Sequence, residues 1–266
     1  MNSIRKAALS CILTILAITS VAAKDKDDLH QTIKAIAAKF EAMGVGASYV
    51  TAKGKPVVQQ VSFLQEKDLT FPVNGNLRQI ALIRHGEPDL RKTGKFSYME
   101  ARKFAVDYDS VGIVTPDAPF FEIQNPKEVA VFASSINRAR ATAQYVFGAD
   151  SQMTVSPVFR EFETAMGEHS PSLRMPIKFW TTAARIKWVL GIDRQGAESF
   201  ADARRRAQEA AQILVSASAD RPKVALVAHG LLNRYIQENL EDMGWHVVRD
   251  GGSGYLGTTI LVKLDS

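Results

Sequence analysis

The chain has 266 residues, 46% of them apolar and 23% charged, with a formal net charge of +5. This composition excludes a disordered chain and is that of a globular protein with one sizeable core. The positive balance is mild, and no dense Lys/Arg stripe is interleaved with aromatics. Nucleic acid is therefore not an expected partner, whereas small anionic ligands suit the charge.

Residues 1–23 have the build of a secretory signal. Arg5 and Lys6 precede an apolar run from Ala7 to Val21, and Val21-Ala22-Ala23 offers the small residues that signal peptidase needs. The run is shorter than the ~20 apolar residues of a spanning helix. The expectation is cleavage near Ala23, a periplasmic or secreted location, and no stable membrane insertion afterwards. Loss of Arg5 and Lys6 lowers the charge from +5 to +3. Cys11, the only cysteine, lies in this segment. The remaining chain can form no disulfide and must rely on an ordinary core, which fits a bacterial periplasm.

Residues 24–76 read as a small N-terminal appendage. Leu29, Ile33, Ile36, Phe40 and Met43 recur at spacings of three and four, predicting an amphipathic helix over 28–43 that Asp28 caps and Gly44 ends. Weak alternation through Val57, Val58, Val61 and Phe63 predicts short strands.

A larger domain spans 77–266. Ile80–Ile83, Val129–Ala133 and Val224–Ala228 are short continuous apolar runs, as buried parallel strands require, and Thr258–Val262 reads as a fourth strand. Helical stretches follow at 138–146, 199–215 and 231–243. Strands alternating with helices predict an α/β fold with a mainly parallel central sheet. Segments 88–127 and 164–196 have mixed composition and read as insertions that could roof a site.

Three of these strands run into residues that carry chemistry: Arg84-His85-Gly86-Glu87, Ser134-Ser135-Ile136-Asn137-Arg138-Ala139 and His229-Gly230. Ligands of open α/β sheets bind beyond the carboxyl ends of the strands, so two histidines and two arginines should converge there. Arg84 and Arg138 are permanent cations whose forked donors match phosphate oxygens. A neutral imidazole can attack phosphorus while the cations offset charge on the equatorial oxygens. A carboxylic acid must protonate the leaving oxygen, and Phe159-Arg160-Glu161-Phe162-Glu163 holds the candidates. This chemistry calls for no metal and no cofactor.

Leu82-Ile83-Arg84-His85-Gly86-Glu87 resembles the signature of the histidine phosphatase, or phosphoglycerate mutase-like, superfamily. The segment from Ala133 to Ala143 is similar to that family's second-arginine segment. Phe159-Arg160-Glu161 resembles its acid segment, Gly196-Ala197-Glu198-Ser199 its late Gly-Glu-Ser segment, and Val227-Ala228-His229-Gly230 its second His-Gly motif. The resemblance covers about residues 78–265, with the motifs in family order. It implies a three-layer α/β/α fold and a phosphomonoesterase working through phospho-His85. It further implies Arg84, Arg138 and His229 as phosphate ligands and Glu161 as proton donor. Pro88 stands where many members have Thr, and the pattern after the acid is replaced by Glu163-Thr164-Ala165-Met166-Gly167-Glu168, so Glu163 remains an alternative donor. Two other functions stay open: a mutase or phosphotransferase on the same intermediate, and a non-catalytic binder of a phosphorylated envelope component. The partner in each case is a small phosphorylated molecule, its identity and the oligomeric state being undetermined.

Other features have plainer readings. Gly252-Ser253-Gly254-Tyr255-Leu256-Gly257 has dinucleotide-fingerprint spacing but no following helix, so it reads as a flexible turn. His30, His169 and His246 lack metal-ligand spacing, although His169 could touch substrate. Arg204-Arg205-Arg206 reads as a solvated helix face. Phe179, Trp180 and Trp188 are either core or substrate roof.

Overall fold

The computed structural model describes residues 27–43, 48–50, 56–59, 61–69, 75–90, 93–115, 121–122, 126–163, 166, 171–192 and 198–265. The expected signal at 1–23, His169, Gly196 and Ala197 lie outside them. In chain order, the first elements are α1 (27–43), β1 (Ser48–Val50), β2 (Pro56–Gln59) and β3 (Val61–Ser62). Then come β4 (Asn76–Arg84), β5 (Lys95–Phe96), α2 (Tyr98–Ser110), β6 (Phe121–Glu122), β7 (Val129–Ser134) and α3 (Asn137–Phe147). The chain continues through β8 (Met153–Ser156), β9 (Met175–Pro176), α4 (Ile177–Val189), α5 (Phe200–Asp220), β10 (Lys223–Ala228), α6 (Gly230–Asp242), β11 (His246–Arg249) and β12 (Thr258–Asp265).

The six-stranded central sheet has the order β11-β12-β4-β10-β7-β8. β4, β10, β7 and β8 run parallel, while β12 pairs antiparallel with β4 and β11 antiparallel with β12. The short apolar runs are strands because both faces of each are covered. On one face, Ala81, Ile83, Val131, Ala133, Ala225 and Val227 pack with Ile36 and Phe40 of α1 and Ala139 and Ala143 of α3. On the other, Ile80, Leu82, Phe132, Val224 and Leu226 pack with the alanine stripe of α5, with Leu232 and Ile236 of α6 and with Trp245. The result is a three-layer α/β/α fold with a mainly parallel sheet.

The two mixed-composition segments meet above the sheet. β5 pairs antiparallel with β9. Tyr98 and Ala101 of α2 bury against Ile177, Trp180 and Ala184 of α4. Trp180 Nε1 donates to the Phe96 carbonyl at 2.8 Å. α2 starts in a capping box: Ser97 Oγ accepts from the Glu100 N–H, and the Glu100 carboxylate accepts from the Ser97 N–H.

Candidate functional site

Register places the motifs side by side. β10 lies between β4 and β7, with Ala228 opposite Arg84 and Val227 opposite both Ile83 and Ala133. The chain leaves these three strands at neighbouring points, which brings His85, Ser134 and His229 together. The His85 N–H donates to the Ala228 carbonyl at 2.9 Å, tying the first motif to the strand that carries the second histidine. α3 and α6 begin just beyond the sheet and supply Arg138 and the first-turn N–H groups of Gly230, Leu231 and Leu232, which have no acceptor within the helix.

Arg138 is only 2% exposed and connects the parts. Its Nε donates to His85 Nε2 at 3.1 Å, and its Nη2 donates to His229 Nδ1 at 3.3 Å. Its Nη1 donates to the Tyr108 carbonyl and to Asp109 Oδ1, each at 2.7 Å. Guanidinium cannot accept, so both facing ring nitrogens are unprotonated acceptors. His85 therefore carries its proton on Nδ1, which donates to the Gly86 carbonyl at 2.8 Å. His229 carries its proton on Nε2, which donates to Ser134 Oγ at 2.8 Å. Burial, then repulsion from His85 when that ring is protonated, and then the charges of Arg138, Arg84 and Arg206 hold the His229 imidazole well below its usual titration range, so this ring is neutral. Thr142 Oγ1 donates to the Arg138 carbonyl and accepts from the Gly86 N–H at 2.8 Å, bracing both motifs from α3.

Arg84 lies under the loop between β11 and β12. Its Nη1 donates to the Ser253 carbonyl, and its guanidinium stacks 4.5 Å from the Tyr255 ring centre. Its Nε is buried with no acceptor among the described residues. The Tyr255 ring lies 5.7 Å from His85, and Tyr108 lies 6.3 Å from it on another side. The loop around Tyr255 is thus a wall of the site. Leu256 adopts φ 62°, a conformation a side chain adopts at a cost, with its N–H donating to the Arg84 carbonyl at 3.1 Å.

The candidate acids differ in setting. Glu161 is half-buried, and its carboxylate accepts from the Leu231 N–H at 3.4 Å and the Leu232 N–H at 3.2 Å, at the α6 N-terminus. Glu163 is exposed. Both line the cavity of about 450 Å³ that also contains Arg84, His85 and Arg138. Arg185 of α4 lines it too, donating to the Phe162 carbonyl at 3.2 Å. Burial lowers the Arg185 pKa, against the charge of Glu161, which raises it. The apolar part of the lining comes from Phe104, Phe162, Met166, Ile177 and Ala184.

The arginine run does not form one solvated face. Arg204 and Arg205 are exposed, but Arg206 turns inward. There it makes a two-pronged pair with Glu198, at 2.7 and 2.6 Å, and donates to the Val158 and Arg160 carbonyls. A charge run in sequence could not separate these three, because the inward turn depends on carbonyls from a distant loop. Trp180 and Trp188 are buried, while Phe179 is exposed. Tyr108, Asp109, Arg185 and Tyr255 had no sequence signal as site residues. They reach the cavity from the roof helices and the β11–β12 loop.

The arrangement is a buried cluster of cationic and imidazole side chains at the carboxyl end of a parallel sheet, with a carboxylate on the same cavity, and its chemistry suits an anion. Comparison with protein families matches residues 80–263 to the histidine phosphatase superfamily (branch 1), and the chain belongs to that superfamily. No curated protein matches the chain. Among solved structures, it is similar to a mycobacterial glucosyl-3-phosphoglycerate phosphatase at 21% identity, covering 70% of this chain and 91% of that one, with a TM-score of 0.40. It is also similar to a phosphoserine phosphatase from Entamoeba histolytica at 18% identity, covering 71% and 95%, with a TM-score of 0.40. A Mycobacterium tuberculosis open reading frame product matches at 14% identity, covering 71% and 96%, with the same TM-score of 0.40.

Proposed function

We propose that the chain is an exported phosphomonoesterase that hydrolyses a small phosphate ester through a phosphohistidine on His85, without a metal. The observation that carries this reading is the convergence of Arg138 on both histidine rings, His85 at 3.1 Å and the fully buried His229 at 3.3 Å, with Arg138, His85 and Glu161 lining one cavity.

In this reading the Nε2 lone pair of His85 attacks phosphorus. The N–P bond forms as the ester P–O bond breaks, and Glu161 gives its proton to the leaving oxygen. Arg84 and Arg138 hold the equatorial oxygens, and His229 joins them once its proton sits on Nδ1 in place of Nε2. The Nδ1–H bond to the Gly86 carbonyl holds the tautomer whose Nε2 carries the attacking lone pair. Water then attacks the phosphohistidine, Glu161 takes its proton, and the N–P bond breaks to release inorganic phosphate. Membership of the histidine phosphatase superfamily supports the phosphatase class.

The test is hydrolysis of an aryl phosphate, with chelator present, by the wild type and His85→Ala. Isotope from labelled substrate should be trapped as an acid-labile protein adduct in the wild type only. Equal turnover in the variant sinks the mechanism. Trapping of the adduct with transfer to an added alcohol, in place of release to water, assigns the protein as a phosphotransferase.

A further inference from the structure

We propose that the outer face of α4 docks this protein peripherally on a bilayer surface carrying anionic lipid headgroups. α4 is apolar on two opposite sides. At about 3.6 residues per turn, Ile177, Trp180, Ala184 and Trp188 fall on one side, and Phe179, Ile186 and Leu190 on the other. The first group is buried in the roof and the core below it. The second group faces outward: Phe179 is 45% exposed, Ile186 56% and Leu190 66%. Val189, the last residue of α4, at 48% widens this patch, and Ile192 at 52% extends it past the helix end. Among the described residues only the inner side of α4 meets a protein core, and a contiguous apolar patch left outside marks a contact surface.

Charge decides what covers the outer side. From Arg174 through Ile192 the chain carries Arg174, Lys178, Arg185 and Lys187 and no acidic residue. Arg174 pairs with Glu100, and Arg185 turns in to the Phe162 carbonyl. Lys178 and Lys187 are exposed and stand on the two flanks of the outer apolar stripe. Their four-carbon stems can follow the apolar surface while the ammonium groups reach headgroup phosphates. Burial of the apolar face and attraction of each lysine to an anionic surface act together. A second copy is the poorer occupant, because a symmetric interface would set the same lysines against each other. Among the described residues no helix is long and apolar enough to cross a membrane. Lys178 also lines the cavity of the candidate site, so the docking helix and the pocket share a wall.

The test uses the full chain with Cys11→Ser and a polarity-sensitive fluorophore on Ile186→Cys, and a second protein labelled on Glu209→Cys, an exposed position of α5. Mixed phosphatidylglycerol–phosphatidylcholine vesicles should shift the emission of the label at 186 to the blue and leave that at 209 unmoved. The shift should be lost when Lys178→Glu and Lys187→Glu are added, and with pure phosphatidylcholine vesicles. An apolar N-terminus that bound vesicles by itself would leave the label at 186 unmoved. The proposal is overturned by no shift at 186, by an equal shift on neutral vesicles, or by a shift on raising protein concentration without lipid, which would assign the face to self-association.

Discussion

Arg138 Nε and His85 Nε2 share a hydrogen bond of 3.1 Å, so the lone pair that would attack phosphorus is held by the arginine that would bind the phosphate. An incoming phosphate oxygen, as a stronger acceptor than imidazole, draws the guanidinium to itself and frees the lone pair in the same movement. Arg138→Lys keeps the charge but loses the planar fork that reaches both rings. We expect kcat/KM to fall by about 10²–10³ on an aryl phosphate, comparable to removal of one transition-state donor. A loss of less than about tenfold in steady-state assays would separate Arg138 from phosphate ligation.

Asp109 is the negative partner of Arg138, with its side chain 49% exposed. It occupies a donor that a bound phosphate could use, and at that exposure the pair contributes at most ~1 kcal/mol. Asp109→Asn should therefore tighten inhibition by inorganic phosphate or vanadate by about two- to fivefold. Weakened inhibition would instead make Asp109 a positioning residue that aims the guanidinium.

Glu161→Gln separates two functions of one side chain. The amide oxygen can still accept at the α6 N-terminus, but it has no proton to give. Turnover of an alkyl phosphate should fall by about 10²–10⁴, while nitrophenyl phosphate, whose leaving group needs no proton, should lose far less. Equal losses on both substrates would move the donor role to Glu163.

His229 titrates below its usual 6.5 in the folded protein, first through burial and then through the nearby positive charges. Between the folded and unfolded values the unfolded chain binds the extra proton. Folding stability is therefore lost as pH falls through about 6.5, by up to ~1.4 kcal/mol per pH unit from this residue. In His229→Gln that contribution is absent. The difference in unfolding free energy between wild type and variant should shrink from pH 7.5 to pH 5.5 in denaturant titrations. A difference independent of pH would clear His229 of the effect.

Ile36 of α1 is fully buried against the sheet face that carries Ile83 and Val227. Ile36→Ala should cost about 2–5 kcal/mol in a single cooperative unfolding transition. A separate low-stability transition would show that 27–43 unfolds independently of the sheet.

The amino-acid sequence by itself determined the long apolar strands, the helices that cover them and the order of the candidate-site motifs. The reason is that buried parallel strands need uninterrupted apolar runs, and the sheet's carboxyl edge lies where those runs end. Arg84, His85, Arg138 and His229 could be placed near one another from strand ends alone. The short strands β8 and β11 were not legible, since four residues of mixed burial carry too little periodicity. Only the tertiary structure decided that Arg138 bridges both rings, that Asp109 and Tyr255 border the site, and that Arg206 turns inward. Each of those depends on a partner far away in the chain, and hydrogen-bond direction and burial are properties of the folded contact rather than of either residue.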